Sequence, residues 1–349
     1  MRMKRVFTII TIVFSCLFNH QDSFAQFGKK TKIERSANFS IQQLTPQVWV
    51  AIHNDYYGKA ICNAAIVDMG DKTLVFDPFM TPSAAVELRE VARQLTNRKV
   101  TYVVNSHHHM DHIRGNQVFL PNATIVGTNT TRELIQLNEP AEQEWEKKHA
   151  PTLLKAIRKR MVNASQMDRD EMPYWIGYYE GIIESTDQLF MALPDYTFDD
   201  SLWLYGSKLN VKLVECRNGH TASDVVLLIP ALGIAFMGDL LYTERHPWLS
   251  DGDVDGWRKS LRTFYEDRTY HTYLPGHGRV VGKGALKILY DYLGDVQKMC
   301  NAAVTDSAQS ALMNKPIPWR YRGWYYGRFY QPNLQYLISI ARARAQSRK

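Results

Sequence analysis

The sequence predicts an α/β layered domain. Three observations carry this: short β-branched runs recur, turn signals separate them, and helix-periodic segments alternate with them in strand–helix–strand order. Strands are expected at 48–52, 64–67 and 73–76, with Met69-Gly70-Asp71-Lys72 as the hairpin turn between the last two. Residues 83–95 place Ala84, Val86, Leu88, Val91, Ala92 and Leu95 at helical spacing, and 100–104 is then a β-branched strand. A strand at 123–126 and a helix at 130–137 follow. Strands resume at 202–205, 211–215, 225–229 and 234–237, with Pro230-Ala231-Leu232-Gly233 turning between the last pair. A helix at 257–265, a strand at 270–274 and a helix at 285–300 complete the pattern.

Two stretches depart from it. Residues 139–195 are charged, Met-rich and aromatic with few strand signals, and read as a helical insertion that either packs onto the body or lids a pocket. Residues 301–349 form a tail with an aromatic cluster (Trp319, Tyr321, Trp324, Tyr325, Tyr326, Phe329 and Tyr330) and a last helix from Asn333. Without a repeat or a low-complexity linker, residues 26–349 read as one domain carrying an insertion.

Composition narrows the function classes. Hydrophobic residues at 45% and charged residues at 22% of a 349-residue chain mark a globular protein, not a disordered one. Residues 1–25 read as an export signal: Arg2, Lys4 and Arg5, an apolar run over 6–18, then Ser23-Phe24-Ala25 as a small-x-small cleavage site before Gln26. The run falls short of the ~20 residues of a spanning helix, so a periplasmic or secreted protein without stable membrane insertion is expected. Lipidation at Cys16, after Val13-Phe14-Ser15, is the alternative ending of that signal. The net charge of +7 becomes +5 once Arg2, Lys4, Arg5 and Asp22 leave with the signal. Basic residues are scattered, and the stripe with interleaved aromatics that nucleic-acid binding needs is missing outside the C-terminus. Cys62, Cys216 and Cys300 then remain, an odd number with no Cys-x-x-Cys spacing, and read as buried thiols or at most one disulfide.

The chemistry is concentrated in Asn105-Ser106-His107-His108-His109-Met110-Asp111-His112, directly after the expected strand at 100–104. In extended chain, residues two apart point the same way, so His107, His109 and Asp111 converge past the strand end and His112 turns in from a following helix or loop. Imidazole and carboxylate are good zinc ligands, and such groups crowded together need a partner. Three further sites end or join strands: Gly219-His220-Thr221, Gly238-Asp239 and Pro275-Gly276-His277-Gly278. Each alone is an ordinary turn; in this order they form a set.

The set His107, His109, Asp111, His112, His220, Asp239 and His277 resembles the metallo-β-lactamase superfamily over roughly 48–284. The resemblance implies an αββα four-layer sandwich with the metal site at one edge of its two sheets, here with the helical insertion and helical C-terminal tail added. It implies that His107, His109 and His220 bind a first zinc, that Asp111, His112 and His277 bind a second, and that Asp239 bridges both. It makes Asp77 the aspartate that braces the histidine loop. His108 and Met110 occupy variable positions of the motif. In the best-known zinc β-lactamases the position of Asp239 is a cysteine or no ligand, whereas glyoxalase-type and other dinuclear hydrolases have an aspartate there.

These implications amount to an exported hydrolase with two Zn²⁺, whose bridging hydroxide attacks an ester, lactone, thioester or amide of a small molecule, a β-lactam among them. Asp111 would orient that water. Iron or manganese in place of zinc, a mononuclear iron persulfide dioxygenase, an alkylsulfatase or phosphodiesterase, and a metal-bearing binding protein are the competing readings. Arg245 and His246, following the Asp239 strand, are expected at the pocket rim in contact with substrate.

Overall fold

The computed structural model describes residues 36–347, so the expected signal at 1–25, Cys16 included, lies outside the described residues. In chain order the strands are β1 (Phe39–Thr45), β2 (Val48–His53), β3 (Ala64–Asp68), β4 (Thr73–Phe76), β5 (Tyr102–Val104), β6 (Thr124–Thr128), β7 (Tyr196–Phe198), β8 (Ser201–Leu204), β9 (Val211–Arg217), β10 (Ser223–Ile229), β11 (Ile234–Phe236), β12 (Thr272–Leu274) and β13 (Val281–Gly282). The helices are α1 (Pro82–Thr96), α2 (Met110–Ile113), α3 (Asn129–Met161), α4 (Gln166–Ser185), α5 (Val254–Glu266), α6 (Gly284–Asn301), α7 (Asp306–Met313) and α8 (Tyr330–Gln346).

The strands form two mixed sheets. One holds β1 to β7 in sequence order, antiparallel to β4 and parallel from β4 to β7. The other runs β13-β12-β11-β10-β9-β8. Strict alternation of side chains joins the layers. Ala65 and Val67 of β3 and Val225, Leu227 and Ile229 of β10 enter the core between the sheets. Ala64 and Ile66 face the core under α1, which includes Ala84, Leu88 and Ala92. Val226 and Leu228 face the opposite side, into a core shared with Trp257, Leu261, Leu289 and Leu293 of α5 and α6. Such two-faced burial makes β10 apolar along nearly its whole length. The architecture is therefore the expected αββα sandwich, with a helical C-terminal region added.

Between β6 and β7 the chain is helical, but the helix starts earlier than the boundary at 139. Thr128 caps it, its hydroxyl accepting from Thr131 N at 3.0 Å, and Pro140 and Pro151 lie inside α3 instead of ending it. None of the described helices is long and apolar enough to cross a membrane. Cys62, Cys216 and Cys300 are unpaired, and burial pushes each thiol up to about 12.

Candidate metal centre

Four chain segments meet where strands of the two sheets end. After β5, Ser106 N donates to Asp77 Oδ1 at 2.7 Å and Val225 N donates to Ser106 O at 2.6 Å, fixing the chain that presents His107. α2 begins right after His109, so His107 and His109 project from extended chain while Asp111 and His112 come from a helical turn. The loop from β9 to β10 carries His220, held by Thr221 N and Oγ1 donating to the Asp224 carboxylate. Asp239 follows β11 in a 3₁₀ turn, and His277 follows β12. Gly276 is required here, because a Cβ at that position would collide with Asp239 Oδ1.

The seven side chains fall into two groups, His107, His109, His220 and Asp239, and Asp111, His112 and His277; within each the ligand atoms lie within 4.8 Å of one another. His109 Nδ1 is 2.9 Å from His107 Nε2 and 3.0 Å from His220 Nε2. One imidazole nitrogen carries either one proton or one lone pair, so it can make at most one well-aligned hydrogen bond to the two. Three lone pairs converging on a cation do fit. Asp239 Oδ2 lies 3.5 Å from His220 Nε2 and 3.3 Å from His277 Nε2, and its Oδ1 lies 3.2 Å from His112 Nε2. Asp111 Oδ2 is 3.4 Å from His112 Nε2 and 3.3 Å from His277 Nε2. A tetrahedron with ligand bonds of about 2.0–2.1 Å has edges of about 3.3 Å, so the spacing fits a zinc-sized ion. His112 Nε2 and Asp239 Oδ1 are buried without a hydrogen-bond partner among the described residues, as donors awaiting a cation would be.

The other ring nitrogens are held from outside. Ser106 Oγ lies 2.8 Å from His107 Nδ1, Asp251 Oδ2 lies 3.1 Å from His109 Nε2, and Asp77 Oδ2 lies 2.9 Å from His112 Nδ1. Such contacts decide which nitrogen faces inward. Electrostatics within the cluster follow from crowding. Burial lowers His107 and His220, the latter to about 3, and neighbouring imidazolium charge adds to it. Burial also pulls on His277, but Asp239 and Asp111 beside it outweigh that and raise it to about 9. For Asp239, burial opposes ionisation, yet His277 and His112 hold it well below the carboxylate range.

The structure also holds residues that sequence reasoning missed. Asp251 sits in a loop 142 residues from His109 and accepts from Trp248 Nε1 at 2.9 Å. Tyr242 donates its hydroxyl to Asp239 Oδ2 and stacks on His277 with centroids 5.2 Å apart. The position of Tyr242, three residues after Asp239, was the only signal available for it. Arg245 and His246 correct an expectation, because neither lines the cavity over the centre. Arg245 is buried and pairs with Asp55 at 2.6 Å, and His246 is fully buried with Nδ1 2.9 Å from the Tyr292 hydroxyl.

The cavity has a volume of about 360 Å³ and reaches His109, Asp111, Asp239 and His277. Its walls come largely from α3, α4 and the tail: Glu142, Tyr174, Trp175, Tyr178, Tyr326 and Phe329 are among them. The helical insertion thus lids the centre as well as packing on it. Glu142 has a raised carboxyl, pushed up to about 7 by burial and by Glu139 and Glu146, against the pull of Arg114 and His109. A carboxyl raised on folding loses stability for the fold as pH climbs from its ordinary value of 4.5 to about 7. Glu142→Gln should therefore raise the melting temperature at pH 7.5 and leave it unchanged at pH 4.5. Packed neighbours desolvate the carboxyl, yet much of the side chain is exposed and solvent screens it, so the gain should stay near or below about 1 kcal/mol; equal shifts at both pH values would contradict it.

Comparison with known proteins places this geometry in a family. Residues 57–277 match the model of the metallo-beta-lactamase superfamily. Among solved structures, the chain is similar to a metallo-beta-lactamase from Pontibacter korlensis, with 16% identity, a TM-score of 0.54, and 74% of this chain and 99% of that one covered. It is similar to a metallo beta lactamase from Erythrobacter litoralis with beta mercaptoethanol in its active site (19% identity, TM-score 0.52, 75% and 98% covered). A third is the metallo-beta-lactamase FIM-1 from Pseudomonas aeruginosa in its mono-zinc form (13% identity, TM-score 0.51, 74% and 95% covered).

Proposed function

The chain belongs to the metallo-beta-lactamase superfamily, and from that membership we propose that it is an exported dinuclear zinc hydrolase acting on an ester, lactone, thioester or amide of a small molecule. One observation carries the reading: two groups of buried and half-buried donors, spaced like edges of zinc tetrahedra, share the carboxylate of Asp239. His107, His109 and His220 would hold one ion, Asp111, His112 and His277 the other, and Asp239 both. Two such ions would supply water ionised near neutral pH and would polarise the attacked oxygen.

The remaining chemistry belongs to the chain. Asp111 is the half-buried member of its group and faces the cavity, so its carboxylate can accept a hydrogen bond from the attacking water and aim it. Tyr242 donates to Asp239 and so fixes the shared carboxylate. The aromatic walls exclude bulk water and seat an apolar substrate body. Among the lining residues Arg328 is the one cation besides histidine, which favours neutral substrates over anionic phosphodiesters and sulfate esters. Export rests on Arg2, Lys4 and Arg5, the apolar run and Ser23-Phe24-Ala25.

The mature protein reconstituted with zinc should bind two ions per chain and hydrolyse members of a panel of esters, lactones, thioesters and β-lactams. Chelation should abolish turnover, and zinc should restore it. One iron per chain with persulfide oxidation, or no turnover across the panel by zinc-loaded protein, would overturn the proposal.

A further inference from the structure

We infer that the C-terminal tail completes the metal centre, with Tyr326 as the positioning residue for His277. This rests on the reading of the seven side chains as metal ligands, and it concerns a segment outside the residues 57–277 matched by the family.

The tail returns to the site by backbone contacts. His246 N donates to Tyr325 O at 2.9 Å and Tyr325 N donates to Glu244 O at 2.9 Å, so the tail lies as a parallel bridge along the loop that follows Asp239. The next residue, Tyr326, has φ 63°, a left-handed conformation that a bulky residue rarely adopts and that costs on the order of 1 kcal/mol or more. Gly327, which would take that conformation freely, stands one position later. The strained turn aims the Tyr326 side chain inward, where it is 1% exposed.

Inside, the phenol meets His277. Its hydroxyl is 3.3 Å from His277 Nδ1, and the two rings meet edge-on with centroids 5.7 Å apart. His277 Nε2 faces Asp111 and Asp239, so with its lone pair directed there the proton sits on Nδ1, which donates to the Tyr326 oxygen. Three of the other imidazoles have comparable outer partners, Ser106, Asp251 and Asp77, all within the matched residues. Tyr326 supplies the same kind of contact from beyond them. Its ring is clamped by Tyr174 at 4.8 Å and by the Arg245 guanidinium at 5.5 Å, while Arg245 is anchored by Asp55. Buried Arg245 therefore has a structural account: it holds the residue that holds the ligand.

The test uses the full mature protein and Tyr326→Phe, which keeps the ring and removes the hydroxyl. Co²⁺ and Zn²⁺ are titrated against a competing chelator, and the Co²⁺ ligand-field spectrum is recorded at each equivalent. Affinity for one of the two ions should fall on the order of 10–100-fold, with a changed spectrum for that ion only. The melting temperature of the metal-free protein should stay close to wild type. In a His277→Ala background the same change should have no further effect on affinity. If Tyr326→Phe binds both ions as tightly as wild type with an unchanged spectrum, or lowers only the metal-free melting temperature, the tail is packing and the inference fails. Wild type that binds no transition metal would overturn the metal reading itself.

Discussion

Asp239→Asn should cut kcat/KM by ~10³-fold or more, about 4 kcal/mol of transition-state stabilisation, and leave at most one tightly held metal ion. The reason is that both carboxylate oxygens are in use. Oδ1 faces His112, and Oδ2 faces His220 and His277 and accepts the Tyr242 hydroxyl. An amide offers one acceptor, and its NH₂ must point at one of these two sets. In either orientation a donor replaces a lone pair aimed at a cation, and with the NH₂ on the Oδ2 side it also meets the Tyr242 proton. Because asparagine has nearly the same shape and Gly276 leaves no room to rearrange, the fold should survive, which circular dichroism of the metal-free variant checks. Metal content by mass spectrometry and turnover of the best substrate on the panel measure the rest. Two retained ions with near wild-type kcat/KM would show that Asp239 does not join the two groups.

How much of this was legible in the sequence depends on how local each feature is. The cluster at 107–112 was readable because its geometry is set by one strand end and one helical turn. Asp239 and His277 were readable because each ends a strand whose β-branched run announces it. Asp251 had no such mark: it is an acid in a polar loop, and only the folded chain brings it to His109. Arg245 and His246 misled for the same reason in reverse. A polar pair after a ligand strand looks like a pocket rim, but the tail, nearly 80 positions on, covers it through the bridge to Tyr325. β1 stayed hidden because its FSIQQLT sequence is a half-exposed edge with little apolar alternation, and β7 and β13, three and two residues long, exist through their partners. The tail's aromatic cluster was visible as composition, while its return to the cavity was tertiary information.

The insertion is tied to the metal loop by one buried charge, and removing it should be strongly destabilising. Arg114 follows α2, which carries Asp111 and His112, and its Nε and Nη1 reach Glu139 at 2.5 Å and Glu146 at 2.7 Å on α3. All three residues are buried. In Arg114→Met the apolar replacement fills similar space but leaves two carboxylates out of water with no counter-charge, at a cost of about 3–5 kcal/mol near neutral pH. Burial already raises the Glu146 carboxyl against the pull of Arg114, and removing Arg114 would raise it further. The stability such a group permits is present below its unfolded value and lost as pH rises, so the variant should suffer far less at pH 4.5 than at pH 7.5. Denaturant titration at both values measures this. Adding Glu139→Gln and Glu146→Gln should recover much of the loss at pH 7.5, because neutral amides carry a smaller desolvation penalty. The same change should loosen the grip on Asp111 and His112, since α3 no longer braces the turn behind them. A loss below about 1 kcal/mol, or one of equal size at both pH values, would mean that packing and not charge couples the insertion to the metal loop.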